Sequence, residues 1–295
     1  MSGPALNAFT VDVEDYFHVE AFAKDVARED WPSYPSRVVA NTTRLLDLAE
    51  SYRVRGTFFV LGWVADRFPQ LVRDIRDRGH EIGCHSYWHR MIYTLEPREF
   101  AEDTRRAKAA IESAAEVAVK SYRAPTFSIV GRSLWALDVL AECGFGVDSS
   151  IFPVYHDRYG MPGSPRDPYA IRVAGSARIS EFPISTFRAF GKDLPVAGGG
   201  YLRMLPMWYN SLGLSRMAAE SRPAMVYVHP WEIDPDQPRI QSRASSRLRH
   251  YTNLGGMERR LRHLFERHRF APVSEVLAGR ELPEWMVETD RLVRA

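Results

Sequence analysis

The sequence predicts a single α/β domain built from parallel βαβ units. Three observations point there. Apolar, strand-like runs alternate with helical patterns along most of the 295 residues. Polar residues with useful chemistry recur at or just beyond the C-terminal ends of the predicted strands, where active sites of parallel barrels sit. No internal repeat, low-complexity tract or linker divides the chain.

Asn7 to Val13 is an apolar run that ends abruptly in acids, which reads as a buried strand delivering polar groups at its C-terminal end. Pro32 and Pro35 bound a loop, and Ser36 precedes a helical pattern with Val39, Leu45, Leu46 and Leu48 near 3.6 spacing. Gly56 to Gly62 is a second strand, followed by a helix with Leu71, Val72 and Ile75 that Gly79 closes. Glu81 to Cys84 is a third strand running directly into His85. A helix from about Pro97 to Val117 leads to a fourth strand at Ser121 to Ala124. Leu134 to Cys143 is helical, and Phe145 to Val147 begins another strand.

The stretch from about Phe152 to Met204 breaks this rhythm. It is rich in Pro and Gly and predicts irregular strands and long loops, including Arg178 to Ile184 and the Gly198 to Gly200 run. Alternation resumes with an apolar strand at Ala224 to Val228, ending at His229, and a helix at Leu254 to His268. One domain over residues 1–295, with an extension at about 235–295, fits this pattern.

A hydrophobic fraction of 45% and a charged fraction of 26% suit a soluble enzyme, and a net charge of +2 implies no strong attraction to nucleic acid. Cys84 and Cys143 are too few for a disulfide framework. The N-terminal residues show no basic start followed by an apolar core, so the expected location is cytoplasmic. Nine arginines between Arg239 and Arg269 read as a solvated helical face or as a contact for an anionic glycan, a lipid-linked pyrophosphate sugar or a membrane surface.

His85-Ser86-Tyr87-Trp88-His89 places two imidazoles four residues apart, on one helical turn, where both can reach one divalent ion, most simply zinc. The run Asp12-Val13-Glu14-Asp15 holds three carboxylates in four residues, costly at the end of a buried strand unless they are paired or bind a cation. One acid would complete a two-histidine, one-carboxylate site, and a second would act as general base on water. The plain alternatives are surface histidines and an acid-rich helix start.

These residues carry a resemblance. Thr10 to Asp15, Gly79 to His89, Arg123-Ala124-Pro125 and Val228-His229-Pro230 resemble, in that order, the motifs of the NodB-homology polysaccharide deacetylases, carbohydrate esterase family 4. The Asp12 to Phe17 opening, Gly198 to Arg203 and His229-Pro230-Trp231-Glu232 are similar to the branch found in bacterial exopolysaccharide loci of the PEP-CTERM/exosortase system. The resemblance implies a distorted (β/α)7-type, TIM-like barrel and hydrolysis of N-acetyl groups from N-acetylhexosamine units of a polysaccharide or its precursor. It implies Asp12 as general base, His85 and His89 as metal ligands, Arg123 as the residue orienting the base, and His229 as the acid that protonates the leaving amine. The family's two adjacent aspartates are broken here by Val13, so the third ligand is Glu14 or Asp15. Alternation along a strand puts Glu14 on the side of Asp12 and favours it; Asp15 would then orient a histidine or the substrate.

Tyr87, Tyr201 and Trp231, and Trp88 beside them, are candidates for stacking on sugar faces. Asp148 ends a strand and either lines the pocket or caps a turn. Two other functions stay open: hydrolysis of a different, small or cyclic amide on the same barrel, and a catalytically silent carbohydrate-binding protein.

Overall fold

The strand–helix alternation is present in the structure, a computed structural model describing residues 6–156, 158–174, 177–196 and 198–295. In the first half, β1 (Leu6–Val13), β2 (Thr57–Val60), β3 (Glu81–Cys84), β4 (Ser121–Tyr122) and β5 (Val147–Asp148) alternate with helices. These are α1 (Val38–Ser51), α2 (Gly62–Arg67), α3 (Pro69–Asp77), α4 (Pro97–Ala115) and α5 (Ala136–Glu142). The irregular middle resolves into an antiparallel pair, β6 (Tyr169–Arg172) with β7 (Arg178–Glu181), and a hairpin of β8 (Thr186–Ala189) and β9 (Lys192–Pro195). There follow α6 (Gly199–Met204), α7 (Met207–Ala219), β10 (Met225–Val228), α8 (Ala244–Tyr251), α9 (Met257–Arg267), β11 (Arg269–Ala271) and α10 (Val273–Leu277). A terminal hairpin of β12 (Glu284–Glu288) and β13 (Arg291–Arg294), not anticipated from the sequence, docks on β6.

Among the described residues seven strands pair in parallel, in the order β10-β1-β2-β3-β4-β5-β7. The sheet is buried on both faces, which explains why β1, β2 and β10 read as nearly unbroken apolar runs rather than alternating ones. β1 carries a third neighbour: β11 pairs with Leu6 to Ala8, and β10 takes over from Ala8 to Val11. The main apolar core draws on both halves of the chain, from Phe9 to Phe270. Among the described residues no helix is long and apolar enough to cross a membrane. The first five residues, part of the N-terminal reading, lie outside the described ones.

The Gly198 to Gly200 run is not a free turn. Gly199 opens α6, and a Cβ at Gly198 would lie 2.1 Å from the Tyr227 ring. Gly62 is similarly enforced where α2 crosses α4, since a Cβ there would fall 2.6 Å from Tyr87 and 2.8 Å from the Ala107 backbone. Gly62→Ala is therefore expected to destabilise the fold by roughly 1–3 kcal/mol, read as a lower urea midpoint. An unchanged midpoint would contradict this packing.

Candidate active site

The parallel register delivers the chemistry to one end of the sheet. Asp12 lies opposite Phe59 near the end of β1, and the ladder runs one residue past each neighbouring strand. His85 N–H donates to Val60 O at 2.9 Å, Arg123 N–H to Cys84 O at 2.9 Å and Ser149 N–H to Tyr122 O at 3.0 Å. His229 follows β10 in the same way.

The segment after β3 departs from the expected helical turn. Ser86 and His89 both adopt positive φ, +62° and +50°. The loop is held from outside: Asp103 on α4 accepts the Tyr87 and Trp88 N–H groups at 2.8 and 3.2 Å, and Ser86 Oγ accepts His89 N–H at 3.1 Å. This folded loop, rather than helical spacing, turns both imidazoles to the same point.

Glu14, His85 and His89 form a buried cluster whose ligand-type atoms all lie within 4.8 Å of one another. His85 Nδ1 is 2.8 Å from the Arg123 carbonyl, which requires Nδ1–H and leaves the Nε2 lone pair free to ligate. His89 Nε2 and Glu14 Oε2 approach to 2.9 Å, yet Oε2 accepts no hydrogen bond. Two imidazoles and an unsatisfied carboxylate oxygen converging in this way are the donor set of a divalent metal, so the residues fit one. Burial pushes the His85 pKa down to about 4, keeping it neutral, as a ligand must be. Burial opposes the Glu14 charge too, but the neighbouring His89, His229 and His85 outweigh it and hold its carboxyl well below the usual range.

Asp12 lies beside this cluster. Arg123, fully buried, donates from Nη1 to Asp12 Oδ1 at 2.7 Å and from Nη2 to Ser149 Oγ at 3.0 Å. His229 reaches in from the other side, its Nε2 3.8 Å from Asp12 Oδ2 and 3.6 Å from Glu14 Oε1. Behind it Glu232 Oε2 is 3.4 Å from His229 Nδ1, and Glu232 Oε1 accepts from Arg203 Nε at 2.6 Å. Arg203 also donates to the carbonyls of Arg249, His250 and Thr252, anchoring the end of α8.

Burial works against a charged His229. Glu232, with Glu14 and Asp12 beyond it, outweighs that and raises its pKa to about 9. His229 is therefore protonated at neutral pH. A step that needs its proton is expected to persist until pH rises through about 9 and to fail above it. In Glu232→Gln the main raising cause is gone and burial remains, so the alkaline limb of kcat/KM should move towards acid. An unmoved limb would separate His229 from that limb.

The structure separates the two candidate acids. Asp15 turns away from the histidines and caps α1, accepting from Ser36 Oγ at 2.5 Å and from the N–H groups of Arg37 and Val38 at 3.0 and 3.3 Å. It is thus placed as neither a metal ligand nor a substrate contact. One of the stacking candidates is also displaced from the cavity. Tyr87 packs between α2 and α4, its hydroxyl bonded to Asp66 and its ring under Arg106. Trp231 has both faces taken, by His229 at 5.0 Å and His250 at 4.1 Å, and its Nε1–H donates to Glu14 Oε1 at 3.2 Å. That bond orients the carboxylate, and the ring itself is part of the cavity lining. Tyr201 does line the cavity above the cluster. Asp148 does not; it faces Glu181 across the β5–β7 ladder and accepts from Ser150 Oγ at 2.5 Å.

The cavity, of about 320 Å³, opens over Asp12, Glu14, His85, His89 and His229. Its walls come from both halves of the chain. Glu232 and Arg203 stood in quoted motifs but were given no role from the sequence; the placement of Glu232 three residues after a strand-ending histidine is a local hint of its role.

A model of the polysaccharide deacetylase family matches residues 29–145. It is this segment of the chain that is similar to the polysaccharide deacetylases. A second family model, described as a domain of unknown function (DUF3473), matches residues 149–278. The peptidoglycan-N-acetylglucosamine deacetylase of Bacillus cereus is 32% identical over 98 residues, 33% of this chain and 36% of that protein. A chitooligosaccharide deacetylase of Bradyrhizobium is 33% identical over 100 residues, 34% of this chain and 43% of the relative. The match thus spans about two fifths of these curated relatives, which are amide hydrolases by name. A crystal structure from Mycobacterium smegmatis, classed with the polysaccharide deacetylases, superposes with a TM-score of 0.61 over 93% of this chain and 90% of that one, at 21% identity, and shows the same fold. The segment matched by the deacetylase model carries His85, His89 and Arg123, while the segment matched by the model of unknown function carries Tyr201, Arg203, His229, Trp231 and Glu232.

Proposed function

We propose that this chain is a metal-dependent N-deacetylase acting on N-acetylhexosamine units of a bacterial polysaccharide or its precursor. The observation that carries the reading is the buried Glu14–His85–His89 cluster opening on a cavity that Asp12 and His229 also face. A divalent ion, zinc by the chemistry of its donors, would be held by those three residues and would polarise the acetyl carbonyl and make water more acidic.

The chain's own groups account for the proton transfers. Asp12, held by Arg123, takes the proton of the attacking water as its oxygen bonds to the carbonyl carbon. His229, charged at neutral pH, gives its proton to the amide nitrogen as the C–N bond breaks. Acetate and a free amino sugar leave. A silent binding protein would have no need of a base and an acid on either side of a ligand cluster.

The test combines metal analysis with acetate release from N-acetylated oligosaccharides. Wild type is expected to purify with, or respond to, a divalent metal and to release acetate, and His85→Ala to lose both. A wild-type protein that binds no metal and releases no acetate in its presence would end this reading.

A further inference from the structure

The deacetylation chemistry leaves part of the cavity unused. Arg158, on the loop after β5, and Arg249, on α8, line the same cavity as Asp12, Glu14 and His229. Both are exposed, and among the described residues neither side chain makes a hydrogen bond or ion pair. Arg203, the third arginine of the lining, is buried and committed to Glu232.

These two cations are not needed to balance the floor. Asp12 has Arg123, Glu14 has His89, and Glu232 has Arg203 and His229. Glu20, which interacts with Arg158, is the remaining acid among the lining residues, and one acid against two arginines leaves a net positive charge there. Aromatic rings line the same cavity. His156 stacks on Tyr159 with ring centres 3.8 Å apart and planes 4° from parallel, and the Tyr159 and Tyr201 hydroxyls meet at 3.1 Å. The paired hydroxyls suit the hydroxyls of a sugar, and guanidinium groups on the same cavity suit a planar or tetrahedral anion.

We propose that the cavity takes an acidic glycan, with Arg158 and Arg249 receiving a carboxylate or phosphate carried near the N-acetylated unit. The proposal rests on the deacetylase reading for its substrate class, but binding tests it without turnover.

The experiment compares three oligosaccharides of equal length: a neutral N-acetylglucosamine oligomer, one bearing a uronic acid and one bearing a phosphate. Both kcat/KM for acetate release and Kd by calorimetry are measured at low and high salt. The wild type should prefer an acidic oligomer by about ten-fold or more, through KM and Kd, with the preference shrinking in salt. The larger preference of the two acidic arms identifies the anion. In R158Q/R249Q the ratio of acidic to neutral substrate should fall close to one. Equal use of all three by the wild type, or a ratio that survives the double substitution, overturns the proposal. Acetate release from none of them counts against the deacetylase reading instead, and the Kd comparison still decides this one.

Discussion

Asp12→Asn is expected to lower turnover by roughly 10²–10⁴-fold while the protein keeps its metal. Asp12 lies outside the ligand cluster, and its carboxylate is engaged by Arg123 at 2.7 Å. Asparagine preserves the shape and can still offer an oxygen to the guanidinium, so the fold and the metal site should survive. What it lacks is the capacity to take a proton. Glu14→Gln makes the contrast: it weakens a ligand, so metal content should fall along with rate. Metal analysis and acetate release on both variants separate the roles. An Asp12→Asn protein that loses its metal, or a Glu14→Gln protein that retains it at wild-type affinity, would reverse the assignment of the two acids.

Arg203→Met should cost about 3–5 kcal/mol of stability, the usual result of removing one side of a buried ion pair. Arg203 is 2% exposed and Glu232 is fully buried, so the abandoned carboxylate has no route to solvent. His229 offers partial compensation at 3.4 Å, but the three α8 carbonyls that Arg203 binds lose their donor. Denaturant unfolding of Arg203→Met and of Arg203→Met/Glu232→Gln measures this. The double variant should recover part of the loss because it leaves no unpaired charge. A single variant as stable as wild type would mean that the pair carries little of the fold.

Much of the site was legible before the structure because parallel sheets expose chemistry in one place. Asp12, His85, Arg123 and His229 could each be read from a strand that ends at a polar residue, and the structure brings Asp12, His85 and His229 to one cavity with Arg123 buried behind Asp12. Legibility failed where a role depends on a distant partner. Nothing local to Arg203 says that it meets Glu232, 29 residues on, or that Asp15 would be drawn to the start of α1. Tyr87 was misread for the same reason, since it differs from a sugar platform only in what covers its ring. The histidine spacing was read correctly as a pair but wrongly as a helical turn, because Asp103, which shapes that loop, lies 15 residues away from Trp88. In the fold, the alternating first half was legible, whereas the antiparallel strands and terminal hairpin of the second half lack a regular period.

The double pairing of β1 also sets a schedule for biosynthesis. The strand that carries Asp12 and leads to Glu14 is made before its partners on one side, β10 and β11, which end at residues 228 and 271. At about 5–20 residues per second, translation leaves that edge without its neighbours for ten seconds or more. Until then an apolar ribbon faces the cell with open backbone groups, a natural client for a holdase chaperone. His229 follows β10, so a nascent chain stalled before that strand would hold Glu14, His85 and His89 without it.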